Sequence, residues 1–146
     1  MERLIEFVLN HYLLSLALAV VTFLLIQDLI ESFTNKFKSL SPMLAIVKMN
    51  SQGATILDVR EPAEFSKGHI EDAINIPAGK IEEQISQLSG SKSAPVIVVC
   101  QTGTRSVPAC RSLTKAGFTD LYTITGGMQS WEDNKLPIKA GKKQKA

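Results

Sequence analysis

The sequence predicts an α/β fold: a mostly parallel sheet flanked by helices on both faces, preceded by one N-terminal transmembrane helix. Three observations predict it. Short apolar or β-branched runs alternate with helical patterns between Thr55 and Trp131, the order that builds parallel sheets. One run, Val96 to Val99, is apolar at every position, as in a strand buried on both faces. A twenty-residue stretch from Phe7 to Ile26, interrupted only by Asn10, His11, Ser15 and Thr22, spans roughly 30 Å as a helix.

The N-terminal stretch reads as an uncleaved anchor over residues 1–30. Arg3 is the only basic residue ahead of it, and no alanine lies between Ala19 and Ala45. A cleaved signal peptide requires a basic start and a small-residue site. His11, near one end of the stretch, reads as an interfacial residue. Residues 31–40, ESFTNKFKSL, read as a polar juxtamembrane linker, and residues 41–138 as the folded domain. Lys36, Lys38 and Lys48 follow the helix whereas only Arg3 precedes it. Basic residues near a span stay cytoplasmic, so the expected location is the inner membrane, single-pass, with the domain in the cytoplasm. The lipid bilayer is then an expected partner.

Ser41-Pro42 starts a helix, serine as N-cap and proline in the first turn, with Met43, Leu44, Ile46 and Val47 as its apolar face and a turn over Asn50–Gly53. Thr55–Val59 is a strand, Pro62–Ser66 a turn of helix, and Ala73–Ile76 a second short strand. Ala78–Leu88 carries Ile81, Ile85 and Leu88 at helical spacing. Val96–Val99 is the central strand. Ser106–Ala116 is a helix with Ala109, Leu113 and Ala116 on one face and Gly117 as its stop. Leu121–Ile124 is the last strand, and Gly126-Gly127 opens a short helix through Trp131. The lysine-rich end, residues 139–146, reads as a disordered basic tail.

Composition narrows the function. The chain has 146 residues, 45% hydrophobic and 21% charged, with a net charge of +2. Four of the sixteen Lys and Arg residues lie in the last eight positions, so the remainder is mildly acidic and has no footprint for nucleic acid. Two cysteines ten residues apart make neither a disulfide scaffold nor, with only two histidines, a zinc site.

The chemistry concentrates in Val96–Ser106, VIVVCQTGTRS. Cys100 stands where a buried strand ends, and a helix begins at Ser106. Sites in open α/β sheets gather at the carboxyl ends of strands. The intervening Gln101, Thr102, Gly103 and Thr104 are short and polar, and Gly103 can take a positive φ. Such a loop converges its N–H groups on one point, an anion nest backed by a helix start. Arg105 adds a fixed charge and a fork of donors. A sulfur at the centre is stabilised as thiolate. Cys110, on the helix beside Leu113, reads as a small core residue.

Three ordered motifs carry a family resemblance over Ser41 to Ile138. LDVREPAEFSKGHIEDAINIP (Leu57–Pro77), CQTGTRS (Cys100–Ser106) and GGMQSW with the later Leu136-Pro137 resemble the opening, active-site and closing signatures of single-domain rhodaneses. With the N-terminal helix, the whole resembles the membrane-tethered bacterial members. Two positions depart: Asp72 and Lys135 stand where that family commonly has glycine. The resemblance implies a sulfurtransferase in which Cys100 takes a sulfane sulfur from thiosulfate or a persulfide. A thiol acceptor then removes it, and no cofactor or metal takes part. It implies catalytic roles for Cys100 and Arg105. Gln101, Thr102, Gly103, Thr104 and Ser106 would cradle the donor. Asp58 and Arg60 support the loop, while His69 and Trp131 are structural.

Two rival functions share this fold. Cysteine phosphatases and arsenate reductases place five residues between cysteine and arginine, whereas four stand here, a tighter cradle suited to sulfur. The alternative outside catalysis is a membrane-tethered rhodanese-fold interaction module, since fold alone does not fix function.

Overall fold

The computed structural model describes residues 11–34, 37–86, 88 and 92–140. The chain divides into two compact units, Met1–Asn35 and Lys36–Ala146.

The first unit contains helix α1 (Tyr12–Thr34). Among the described residues, no helix is long and apolar enough to cross a membrane. This corrects the expected transmembrane helix over residues 1–30 and leaves the lipid bilayer without support as a partner. The physical reason is length. The apolar stretch Leu13–Ile26 covers about 21 Å at 1.5 Å per residue, short of the roughly 30 Å of a hydrocarbon core. Gln27, Asp28 and Glu31 follow immediately.

The second unit is built on strands β1 (Phe37–Leu40), β2 (Thr55–Asp58), β3 (Ile74–Asn75), β4 (Val96–Val99) and β5 (Leu121–Ile124). They form one sheet in the order β1-β5-β4-β2-β3, and every pair is parallel. The register sets Thr55 beside Val96, Val96 beside Leu121, and Phe37 beside Leu121. β1 corrects the reading of 31–40 as a linker: Phe37–Leu40 is an edge strand. Its sequence, FKSL, carries no buried side chain, so it lacks the apolar signature that marks the interior strands.

Side-chain alternation divides the core between the two faces. Val96 and Val98 pack with Leu57, Cys110 and Leu113 on one face. Ile97 and Val99 pack with Ala45, Met128 and Trp131 on the other. All four β4 residues are fully buried, each contributing about 1.5–3 kcal/mol over an exposed position. The covering helices are α2 (Pro42–Gln52), α3 (Pro62–Lys67), α4 (Ile81–Gln84), α5 (Ser106–Lys115) and α6 (Gly127–Asp133). Helix α2 runs through the turn expected at Asn50–Gly53 and stops at Gly53, φ +61°. The helix expected over Ala78–Leu88 is a 3₁₀ turn, Ala78–Lys80, followed by the single turn of α4.

Helices α5 and α6 end in the same hydrogen-bonded motif. After α5, Phe118 N donates to Leu113 O and Gly117 N to Thr114 O, both at 3.1 Å. After α6, Leu136 N donates to Trp131 O at 3.2 Å and Lys135 N to Glu132 O at 2.8 Å. The motif needs a left-handed residue just past the cap. Gly117 supplies it at φ +97° and Lys135 at φ +54°. Asp72, at φ +59°, is the other left-handed non-glycine among the described residues, in a turn closed by Ala73 N bonding Ile70 O at 3.1 Å. Lys139, assigned to the tail, is paired: it bridges His69 through backbone bonds of 2.8 and 3.0 Å. Residues 141–146 lie outside the described residues.

Candidate active site

Because every strand runs parallel, the loops after β2, β4 and β5 meet at one edge of the sheet. Cys100 follows the central strand directly and is completely buried. Its Sγ accepts a hydrogen bond from Gly103 N at 3.1 Å. Gly103 reaches that position with φ +101°, a backbone state that side-chain-bearing residues rarely adopt. Ser106 Oγ donates to Gly103 O at 2.7 Å and is itself buried. Its hydroxyl therefore braces the loop. The exposed Thr102 and Thr104 bring their hydroxyls to 3.2 Å of each other.

A second helix start closes the loop from the β5 side. Met128 N donates to Cys100 O at 2.8 Å and Gln129 N to Gln101 O at 3.0 Å. The approach depends on Gly127, at φ +59°. A Cβ there would collide with Cys100 O and lie 2.7 Å from Gln101 O. Gly127 is thus a site residue that motif reading leaves without a role, although the Gly126-Gly127 pair is visible in the sequence.

The supporting residues Asp58 and Arg60 lie at the end of β2. Arg60 is 3% exposed and Asp58 fully buried. Arg60 Nε bonds both Asp58 oxygens at 3.0 Å, and Nη2 bonds Asp58 Oδ2 at 2.7 Å. Nη2 also reaches Gly68 O at 2.7 Å, and Nη1 reaches Gln101 Oε1 at 3.1 Å. A buried pair repays its desolvation only when its remaining donors are satisfied, and here Gly68 and Gln101 satisfy them. The pair connects β2 to the Cys100 loop.

Arg105 makes a bidentate pair with Glu64 of α3, Nη1 to Oε2 and Nη2 to Oε1, both at 2.8 Å. Glu64 Oε2 also accepts from Glu61 N at 3.1 Å. The bonded Arg105 guanidinium outweighs partial burial and holds the Glu64 carboxyl at about 2, well below its ordinary 4.5. Arg105 is shifted upward, first by Glu64 and further by the charge of nearby Cys100. Glu64 is the second residue that motif reading misses. Its signal is the Glu61–Glu64 spacing, that of a helix-start box, but its partner lies 41 positions away.

Cys110, on α5, faces the core against β5 and is completely buried. Burial, with a smaller contribution from Cys100, pushes its thiol up to about 12. It is a packing residue. His69 stacks on Phe65 at 3.8 Å and its Nδ1 meets Phe65 O at 2.9 Å. Trp131 Nε1 donates to Pro137 O at 3.0 Å. An open cavity of about 460 Å³ borders the loop, lined by Arg60, Glu64, Lys67, Gln101, Glu132 and neighbouring residues. Among the described residues, no cluster of three His, Cys, Asp or Glu is placed to hold a metal ion.

A cysteine at the end of a central parallel strand, met by two helix starts, defines the second unit as an α/β domain with a cysteine loop at the carboxyl edge of its sheet. The chain belongs to the rhodanese-like domain family, whose model matches residues 43–134. It is 31% identical to the uncharacterized protein YibN of Escherichia coli over 143 residues, covering 97% of this chain and all of that one. It is 42% identical over 98 residues to thiosulfate sulfurtransferase 16, chloroplastic, of Arabidopsis thaliana, covering 60% of this chain and 82% of that one. A crystal structure of a rhodanese-related protein from Thermoplasma volcanium superposes with a TM-score of 0.64 at 30% identity, over 70% of this chain and 98% of that one. At the level of the family, these likenesses support a sulfurtransferase-type function.

Proposed function

We propose that the protein is a sulfurtransferase that carries a sulfane sulfur as a Cys100 persulfide. The observation that carries this reading is the Gly103 N–H aimed at a buried Cys100 Sγ, in a loop braced by Ser106 and covered by the start of α6. The Cys100 thiolate attacks the outer sulfur of the donor. With thiosulfate the S–S bond breaks, sulfite leaves with the electron pair, and the outer sulfur stays on Cys100. An acceptor thiolate then attacks that sulfur and regenerates the Cys100 thiolate. This is covalent catalysis by an activated nucleophile. The Gly103 amide and the Arg105 charge act on the anionic sulfur, while burial excludes water. The relatives named as thiosulfate sulfurtransferases support thiosulfate as one donor. Two free cysteines and a cycle between thiolate and persulfide suit a reducing compartment, and we place the catalytic domain in the cytoplasm.

The test is intact-mass measurement after incubation of the purified chain with thiosulfate or an organic persulfide. One added sulfur atom on the parent and on Cys110→Ala, and none on Cys100→Ser, is the expected result. Sulfur loading of Cys100→Ser, or none on the parent with either donor, would overturn the proposal.

A further inference from the structure

One peptide group beside the site is held from both sides. Gly68 O accepts from Arg60 Nη2 at 2.7 Å, and the next nitrogen, His69 N, donates to Lys139 O at 3.0 Å. Both atoms belong to the planar trans peptide that joins Gly68 to His69, in which C=O and N–H point in opposite directions. Fixing the N–H on one side therefore aims the carbonyl on the other. Lys139 N returns a bond to His69 O at 2.8 Å, a second hold on the same segment. Ile138 adds packing, since a Cβ on Gly68 would stand 3.0 Å from Ile138 Cδ1. Ile138 and Lys139 thus form a strap, anchored in turn where Trp131 Nε1 donates to Pro137 O at 3.0 Å. The strap lies beyond the stretch that the family model matches, residues 43–134.

Arg60 carries this restraint to the cysteine loop. Its Nε and Nη2 hold the Asp58 carboxylate, and its Nη1 donates to Gln101 Oε1 at 3.1 Å. The guanidinium is a rigid plane, so a carbonyl that fixes Nη2 also sets where Nη1 points. Gln101 follows Cys100 directly in the chain. From this geometry we infer that the strap of Ile138 and Lys139 is a positioning element for sulfur transfer. Acting through the Gly68–His69 peptide and Arg60, it fixes the Gln101 side chain next to Cys100. Lys139 serves through its backbone; its side chain, paired with Glu71 at 3.4 Å on the surface, is outside the relay. The inference rests on the sulfurtransferase reading and adds to it a group that acts without touching the reacting sulfur.

The experiment measures kcat and KM for sulfur transfer to dithiothreitol, together with urea midpoints, in the full chain. The donor is thiosulfate, or cysteine persulfide where thiosulfate does not load the parent. Two variants loosen the strap by different routes. Lys139→Pro removes the N–H given to His69 O, and Ile138→Gly removes the packing on Gly68 and frees the backbone. Each should lower kcat about three- to tenfold, the worth of one neutral hydrogen bond, with KM within about twofold of the parent. If Lys139→Pro does not fold, Ile138→Gly decides alone. Lys139→Ala keeps both backbone bonds and should match the parent. Gln101→Met separates positioning from stability, because it takes away the acceptor of Arg60 Nη1. In that background the strap variants should lower the urea midpoint as far as they do in the parent, yet change kcat less than about 1.5-fold. Strap variants with the parent's kcat would overturn the inference. So would a kcat loss that persists undiminished in Gln101→Met, or one as deep in Lys139→Ala. Each of these outcomes leaves the sulfurtransferase reading intact. A parent that transfers sulfur from neither donor removes that reading and the inference with it.

Discussion

Gly127→Ala tests whether the site is held from the β5 side. The methyl group would collide with Cys100 O and approach Gln101 O at 2.7 Å. Relief requires α6 to move off the loop, which breaks the bonds from Met128 N and Gln129 N. Each such bond is worth about 0.5–1.5 kcal/mol. Holding alanine at φ +59° costs about 1–2 kcal/mol, offset by about 0.4–1 kcal/mol from the stiffer unfolded chain. The net loss is about 2–4 kcal/mol, a large share of the roughly 5–15 kcal/mol that stabilises a domain. Trp131 is the only tryptophan and is buried on α6 itself, so its fluorescence during urea unfolding reports this region directly. Sulfur loading of Cys100 should fall along with stability, because the carbonyls that orient the loop lose their partners. Gly117→Ala is the control. It carries a similar left-handed strain at φ +97°, but a Cβ there meets nothing within 4 Å. It should lower stability and leave sulfur loading intact. If Gly127→Ala matched the parent within about 0.5 kcal/mol, the spread expected for a neutral surface change, and loaded sulfur normally, the reasoning would be wrong.

Two further outcomes follow from the same structure. Lys135→Gly should stabilise the protein by about 0.5–1 kcal/mol, since an exposed lysine at φ +54° gives way to the residue that this helix end favours; a lower urea midpoint would show that the lysine side chain contributes more than its backbone costs. The Glu64 carboxyl is depressed to about 2 when folded, against an ordinary 4.5, so its pairing with Arg105 stabilises fully above pH 4.5 and is lost as pH falls toward 2. The stability gap between the parent and Glu64→Gln should therefore be constant from pH 7 to about 5 and close by pH 2, and a gap that widened on acidification would contradict the pairing.

Much of the sheet was legible because its interior strands are apolar on both faces. VIVV at 96–99 and the glycine after α5 mark elements whose sequence and environment agree. β1 was not legible: FKSL is an edge strand with no buried side chain, and only its pairing with Leu121–Ile124 makes it a strand. The reading of the N-terminal segment as a span erred on length, because four polar interruptions were counted inside a stretch whose described apolar part is shorter than a bilayer core.

The site divides along a similar line. Its backbone part shows in sequence as missing side chains: Gly103 and Gly127 are glycines because one must reach φ +101° and the other must let a helix start touch Cys100 O. Asp72 and Lys135 show the converse. Both lack glycine where the resemblance expects it, and both adopt the left-handed backbone all the same, so the turn is imposed by its surroundings and the residue bears strain. The charged part has no such local signature. Glu64 and Arg105 are 41 positions apart, and nothing near either one names the other. Pairing across that separation requires α3 to lie over the start of α5, a consequence of placing β2 beside β4. The cysteine loop could therefore be read from one short motif, because a strand end, a glycine and a helix start build it locally. The groups that tune its partner arginine could not, since the sheet order alone brings them together.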